Sequence, residues 1–105
     1  MTIEVLDSEL RTLEIPVAYR AFNELTSPPF LVYYFAGSDD LKADDTNYVK
    51  VNEINIELYT RIKDLEVEAI VENKLKSLNL TWEKNEVWIE AEKVYQITYE
   101  ISIIE

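Results

Sequence analysis

The fold is decided by Tyr95-Gln96-Ile97-Thr98-Tyr99-Glu100-Ile101-Ser102-Ile103, in which apolar and polar residues alternate without a break. A period of two is typical of a strand that places one face on a core and turns the other away from it. Residues 95–103 are therefore predicted to form the best-defined strand of an antiparallel sheet.

Three further segments carry strand patterns. Residues 80–89 are predicted to form the preceding strand, with Trp82 and Trp88 on it and a turn at residues 90–92. Residues 30–35, Phe-Leu-Val-Tyr-Tyr-Phe, are a dense run of strand formers that Gly37 ends. Residues 17–22 are short and mixed, and they favour an extended segment before the break at Ser27-Pro28-Pro29.

Residues 49–59 are predicted to form a strand in which every second residue from Ile54 to Leu58 is apolar. Val49 and Val51 are out of phase with these apolar residues, so a regular strand would place them on the opposite face. One extra residue near Asn52-Glu53 would restore the phase, which indicates a β-bulge or bend there. Otherwise the two valines belong to the preceding loop.

Two segments carry helix patterns. Residues 3–13 are predicted to be helical, capped by Thr2 and ended by Pro16, with Asp7 and Arg11 paired one turn apart. Their apolar face consists of Ile3, Leu6, Leu10 and Leu13.

Residues 64–78 form the clearest predicted helix, with Asp64 as the N-cap and Asn79 in the left-handed conformation that terminates it. Glu68 and Glu72 are predicted to lie off its apolar face. That face consists of Val67, Ile70, Val71, Leu75 and Leu78.

The order of these elements predicts one α+β domain over residues 1–105, with an antiparallel sheet of about four strands and two helices packed on one face. The apolar stripe of each helix is needed for the core. An interface with a partner must therefore use loops, sheet edges or the face of the sheet that bears tyrosines.

Composition limits the chemistry. The chain has no histidine and no cysteine, which excludes His-based triads, thiol nucleophiles, disulfides and thiolate zinc sites built from this chain alone. Paired carboxylates could still hydrolyse a glycoside, but they need a substrate cleft. A non-enzymatic protein without a cofactor is expected.

The formal net charge of −11 argues against binding to a phosphate backbone, which needs clustered Lys and Arg. For the same reason, the aromatic residues are not expected to be a stacking platform for single-stranded nucleic acid. Solubility alone is one explanation of this charge. Two sharper alternatives are a mimic of DNA and the wall of a passage through which DNA slides without sticking.

The segment between residues 38 and 47 is polar and acidic and is predicted to be a long hairpin loop. Its four aspartates suggest a cation site, but their spacing does not match an EF-hand loop, so no metal is expected. A loop that contacts a partner is the favoured interpretation. The candidate partner-binding residues are Gly37, Ser38, Asp39, Asp40, Leu41, Asp44, Asp45 and Tyr48.

Several stretches carry a resemblance to a known group of proteins. They are Pro-Phe-Leu-Val-Tyr-Tyr-Phe-Ala-Gly-Ser-Asp-Asp at residues 29–40, Ala43-Asp44, Ile-Glu-Leu-Tyr-Thr at residues 56–60 and Trp-Ile-Glu-Ala-Glu-Lys-Val-Tyr-Gln-Ile at residues 88–97. With the order of elements, they resemble small structural proteins from the head-to-tail modules of long-tailed phages and prophages of Gram-positive bacteria. This chain differs from the group at Lys42, where members of the group carry an aromatic residue.

The resemblance implies a tail-completion, or tail-terminator, subunit. Such proteins cap the tail tube, commonly as a six-fold ring, and present the surface that joins the head. The implied partners are copies of the chain itself, the tail-tube protein and a head-completion protein, with no specific nucleic acid and no membrane. A head-completion or connector subunit is the nearest alternative, and an acidic DNA-mimic inhibitor is the alternative from another class.

The resemblance places the protein in the virion, at the tail or the head-to-tail junction, after synthesis in the host cytoplasm. The sequence agrees with this expectation. No apolar run approaches the roughly 20 residues that span a bilayer, and the first residues do not read as a signal peptide.

Overall fold

The computed structural model describes residues 1–43 and 46–105, with residues 41–43 and 46–48 described by their backbone. Two helices and seven strands are present in this part of the chain. They are α1 (Ile3–Leu10), β1 (Val17–Tyr19), β2 (Phe30–Ser38), β3 (Leu41–Ala43), β4 (Thr46–Val49), β5 (Val51–Thr60), α2 (Leu65–Ser77), β6 (Glu83–Ile89) and β7 (Val94–Ile104).

Five of the strands form one mixed sheet in the order β1-β2-β5-β7-β6. All neighbours are antiparallel except β1 and β2, which are parallel with Val17 opposite Leu31. The α+β class is therefore confirmed, but the prediction of about four antiparallel strands is wrong in strand number and in one orientation. Parallel strands need a connection that returns the chain to the end where it began, and residues 20–29 make that return.

The core lies between the two helices and one face of the sheet. Every second residue of β5 and β7 points into it, which confirms the alternation read from both segments. Leu6 and Leu10 of α1 and Val71 and Leu75 of α2 are buried in the same cluster. The strand residues of that cluster include Leu31, Tyr33, Ile54, Ile56, Leu58, Ile97, Tyr99, Ile101 and Ile103.

Local signals fix the helix ends. The Thr2 cap is confirmed, because its hydroxyl accepts a hydrogen bond from the backbone N–H of Val5 at 3.2 Å. The Asp64 cap is confirmed by the same contact with the N–H of Val67. Asn79 has a φ of 60°, the left-handed conformation expected after α2. The first predicted helix ends early, since residues 11–13 form a 3-10 turn.

Arg11 ties the first helix to the edge of the sheet. Its guanidinium lies 2.8 Å from Asp7, which confirms the predicted pair, and also donates to the carbonyl of Val17 in β1 at 3.1 Å. Tyr33 donates its hydroxyl proton to the same Asp7 carboxylate. The hydrogen bonds from Arg11 and Tyr33 hold the pKa of Asp7 below its ordinary value.

Two positions of α2 are opposite to prediction. The apolar pattern predicts that Ile70 lies on the buried face, but its side chain is 44% exposed. The same pattern predicts that Glu68 lies on the outer face, but it is only 1% exposed. The helix is rotated so that the Glu68 carboxylate meets two lysines, Lys63 from the segment before α2 and Lys84 from β6. Lys63 donates to it at 2.6 Å, and Lys84 forms an ion pair with its other oxygen at 2.8 Å.

We name the group around this carboxylate, Lys63, Glu68, Glu72, Lys84 and Glu86, the ion cluster. Lys84 also bonds Glu72 at 2.8 Å, and the Tyr99 hydroxyl donates to Glu72 at 2.9 Å. Burial alone would raise the pKa of Glu68, but the two lysines lower it below its ordinary value of 4.5. The cluster joins α2 to β6 and β7.

The lowered pKa of Glu68 predicts a pH dependence. A carboxyl group with a lowered folded-state pKa stabilises the fold above its ordinary value of 4.5 and loses that contribution as the pH falls through the folded value. Denaturant unfolding at pH 7 and pH 3.5 is therefore expected to show a smaller acid-induced loss in Glu68→Gln than in the native chain. Equal losses in the two proteins would contradict the assignment.

The strand boundaries also needed correction. The strand predicted at 80–89 begins at Glu83, and Trp82 packs instead on the core, edge-on to Tyr99 at 6.3 Å between ring centroids. The segment predicted at 17–22 is a strand only to Tyr19. The bulge expected near Asn52-Glu53 lies across the ladder, between Phe35 and Gly37 of β2, while β5 pairs with β7 without a shift.

The predicted hairpin loop contains a second, two-stranded sheet. Strands β3 and β4 pair antiparallel within the connection from β2 to β5, and Val49, predicted to begin the next strand, belongs to β4. We call residues 39–50 the arm. Its base is closed by the N–H of Asp39, which donates to the carbonyl of Val51 at 2.9 Å.

Neither described helix has the length and the apolar content that are needed to cross a bilayer.

Candidate interaction surface

The face of the sheet opposite the helices, which we call the open face, carries half-buried aromatic and polar side chains. Residues on β2, β5 and β7 that alternate with the core residues project from it. A tyrosine-bearing face of the sheet is one of the three places, beside loops and sheet edges, that the sequence leaves for an interface with a partner. Its two ends differ in chemistry.

A hydrogen-bonded group occupies the centre of the open face. The Glu57 carboxylate accepts the hydroxyl protons of Tyr34 and Tyr59, each at 2.8 Å. Asn55 donates to the Tyr34 hydroxyl at 3.3 Å. Burial raises the pKa of Tyr59, and its bond to Glu57 raises it further. These tyrosines are thus neutral donors that flank the Glu57 carboxylate at the centre of the open face.

One end of the open face holds an apolar groove of about 560 Å³. The connection from β1 to β2 folds over this end, where Phe22 packs edge-on to Phe30 with centroids 5.3 Å apart. Phe30 stacks in turn on Tyr59 at 4.9 Å. We define the groove by Arg20, Phe22, Leu25, Phe30, Arg61 and Val94.

Two arginines, Arg20 and Arg61, line the groove. Among the carboxylates that the structure describes, none forms an ion pair with Arg20 or Arg61, although Glu24 and Glu92 line the same groove. Arg20 lies over the ring of Tyr34, 4.6 Å from its centroid. Leu25 is fully exposed. The groove therefore offers apolar surface beside two arginines and two glutamates, and no ion pair between these groups satisfies the arginines.

The other end of the open face is acidic. Glu83 of β6 lies directly opposite Glu100 of β7, and Glu53 of β5 accepts a hydrogen bond from Ser102 at 2.8 Å. Asp39 is exposed where β2 leads into the arm. The strands β2, β5 and β7 each run between the groove and this acidic end, so the two sites lie at opposite ends of one sheet.

The predicted partner-binding residues fall at the arm or its base. Gly37 and Ser38 end β2, and the Asp40 carboxylate accepts the backbone N–H of Val51 at 3.0 Å. Leu41 lies in β3 and Tyr48 lies in β4. Asp44 and Asp45 lie outside the described residues, so their contacts stay a prediction. The structure thus places six of the eight residues along one hairpin.

The sequence reading did not identify the groove. The sequence predicts an extended segment at residues 17–22 and a break at Ser27-Pro28-Pro29, and it places Arg61 between two predicted elements. The sequence offers one hint of a site for anionic groups, because two of the three arginines in this acidic chain, Arg20 and Arg61, lie outside the predicted helices. Nothing in their spacing shows that they meet, because their proximity depends on the return connection between parallel strands.

Removal of divalent metal is expected to leave stability unchanged. The chain lacks histidine and cysteine, and its aspartates do not follow the alternation of a calcium loop. Thermal melts with and without EDTA should therefore coincide within about 1 °C, since a structural metal would contribute its binding free energy to folding. A fall of many degrees on chelation would show that the aspartates hold a cation.

No protein-family model matches the chain, and a search of curated proteins finds no matching relative.

Proposed function

We propose that this protein is a structural subunit of a long-tailed phage or prophage, which caps the finished tail tube and joins it to the head as a ring of identical copies. The proposal rests on the resemblance of residues 29–40, 56–60 and 88–97 to tail-completion proteins. It places the protein in the virion, with the tail-tube protein and a head-completion protein as neighbours.

The arm is the structural observation that best supports an assembly role. In the described part of the chain, β3 and β4 pair only with each other. A two-stranded ribbon is marginally stable in water unless further strands or a packed surface support it. An extended ribbon on the central β2–β5 hairpin is therefore better suited to lie against another protein than to stand alone.

The charge is also consistent with a position around a DNA passage. Each copy carries a formal charge of −11, and an acidic wall repels duplex DNA instead of binding it. Solubility alone could account for the same charge. The proposal predicts that duplex DNA does not bind even at low salt, where attraction to phosphate is strongest.

Polymerisation of a tail tube tests the role directly. The tail-tube protein of the genome that encodes this chain would be polymerised with and without it, and tubes imaged by negative-stain electron microscopy. Capping is expected to place a ring at one tube end and to shorten the mean tube length. Unaltered tubes without terminal density would overturn the proposal.

The matched control is a variant without the arm. Ser38 and Asn52 are direct partners in the β2–β5 ladder, so an Asn-Gly turn can replace residues 39–51. This variant should keep the circular dichroism of the fold but lose capping. Binding of the native chain to a head-completion protein and not to tubes would instead assign it to the connector, and tight binding to DNA-binding proteins would favour a DNA mimic.

Neutralising the arm is expected to affect assembly more than stability. Replacement of Asp39, Asp40, Asp44 and Asp45 by Asn should change the free energy of unfolding by no more than about 1 kcal/mol, since surface substitutions usually have small effects. An Asn at position 40 keeps an oxygen that can accept from Val51. Capping should fall while circular dichroism stays unchanged. An unfolded variant would show that the aspartates are structural.

A further inference from the structure

We propose that the apolar groove of one copy receives the acidic base of the arm of the next copy, in a head-to-tail contact that builds the ring. This inference rests on the proposed function for its ring, and it names the two surfaces that meet. The receiving surface is the groove defined above. The entering segment begins at Asp39.

The groove has the chemistry of a site for an acidic, partly apolar segment. Its volume of about 560 Å³ lies in the range in which proteins hold ligands and inserted side chains. Phe22, Phe30 and Val94 supply apolar surface, and Arg20 and Arg61 can each bind a carboxylate through two parallel hydrogen bonds. Glu24 and Glu92 line the groove too, but no described carboxylate forms an ion pair with Arg20 or Arg61, so both guanidiniums can take part in such contacts.

The base of the arm supplies the complementary chemistry. Its sequence is Ser38-Asp39-Asp40-Leu41, which places two acidic residues directly before a leucine. Asp39 is exposed, and its backbone is fixed by the bond to Val51, so its position relative to the sheet is defined. An anchored segment loses less conformational entropy on binding than a free loop does.

The positions of the two surfaces favour a second copy as the occupant. The groove and the base of the arm lie at opposite ends of the strands β2 and β5, in a molecule whose long axis measures 49 Å. A contact between two different surfaces of identical copies is heterologous, and it generates a ring when the rotation between copies closes. A face-to-face contact in which the strands of the two copies run in the same direction would instead bring their acidic ends together.

Mixing two half-defective variants tests this contact. The groove variant carries Leu25→Asp and Arg61→Glu, both at exposed positions, and the arm variant carries the Asn-Gly turn. Each alone has lost one of the two surfaces and should stay monomeric by size exclusion with light scattering at about 0.5 M salt. Their mixture should form a 1:1 dimer of the two variants and nothing larger, because only one intact groove meets one intact arm.

The control must distinguish the loss of the groove surface from the effect of the added negative charge. Asn73→Asp and Lys76→Glu, on the exposed face of α2, lower the formal charge by the same three units as the groove variant. This control should assemble like the native chain. If the arm variant misfolds, the four-fold Asp→Asn variant takes its place in the mixture.

The outcomes distinguish this contact from the proposed function. A mixture that stays monomeric while the native chain assembles, or a groove variant that assembles alone, would overturn the head-to-tail contact. If native chains cap tail tubes in either case, the proposed function still stands. A 1:1 dimer together with tubes that are never capped would retain the contact and reject the tail role.

Discussion

Lys84→Met is expected to lower the free energy of unfolding by about 2–3 kcal/mol, because it removes one of the two cations that neutralise the buried Glu68 carboxylate. Lys63 remains, 2.6 Å from the other oxygen, so the effect should lie at the lower end of the range for a broken buried ion pair. For a domain of this size, the melting temperature should fall by roughly 10–20 °C.

The double variant Glu68→Leu, Lys84→Met identifies the cause. It removes the buried charge together with its partner, and an apolar replacement of a buried ion pair is often neutral or stabilising. The double variant should therefore recover at least half of the stability lost in Lys84→Met, measured by urea unfolding at pH 7. If the double variant instead loses the sum of the stabilities lost in Glu68→Leu and in Lys84→Met alone, the buried charge is not the cause of the instability.

Salt is expected to promote assembly. At about 0.05 M salt the protein should be mostly monomeric, since each copy carries a charge of −11 and copies repel one another. At about 0.5 M salt this long-range repulsion is screened, while the apolar contact in the groove is retained. Size exclusion with light scattering should show a larger mean mass at the higher salt concentration.

The arginine contacts do not reverse this expectation. Arg20 and Arg61 would meet carboxylates at close range in a partly dehydrated groove, where screening is weaker than between exposed charges. Such contacts determine which surfaces pair more than how tightly they bind. A tight oligomer at low salt that dissociates at high salt would contradict this account, because ion pairs would then drive assembly.

The best-predicted parts of the fold were those with long periodic patterns or local caps. Nine residues of β7, 95–103, carry one alternation, and Thr2 and Asp64 each cap a helix through a contact three residues away. These signals are local, so the rest of the fold does not alter them. The same holds for Asn79, whose backbone conformation ends α2.

Other features depend on contacts between distant segments. Three residues are too few to show a strand pattern, and nothing in Val17–Tyr19 indicates a parallel neighbour. Glu68 looked exposed because it is charged, and only the meeting of Lys63 and Lys84 explains its burial. The arm could be located by its polarity, whereas the groove required knowledge of how residues 20–28 fold back.

The strand order also bears on how the chain folds during synthesis. The strand β7 is made after all the others, yet it lies between β5 and β6 in the sheet. Until it emerges from the ribosome, Ile54, Ile56 and Leu58 lack their neighbours Ile101, Tyr99 and Ile97, and β6 lacks the strand with which it pairs. The nascent chain must therefore keep an incomplete apolar sheet in solution, and the mutual repulsion of its acidic residues limits aggregation during that interval.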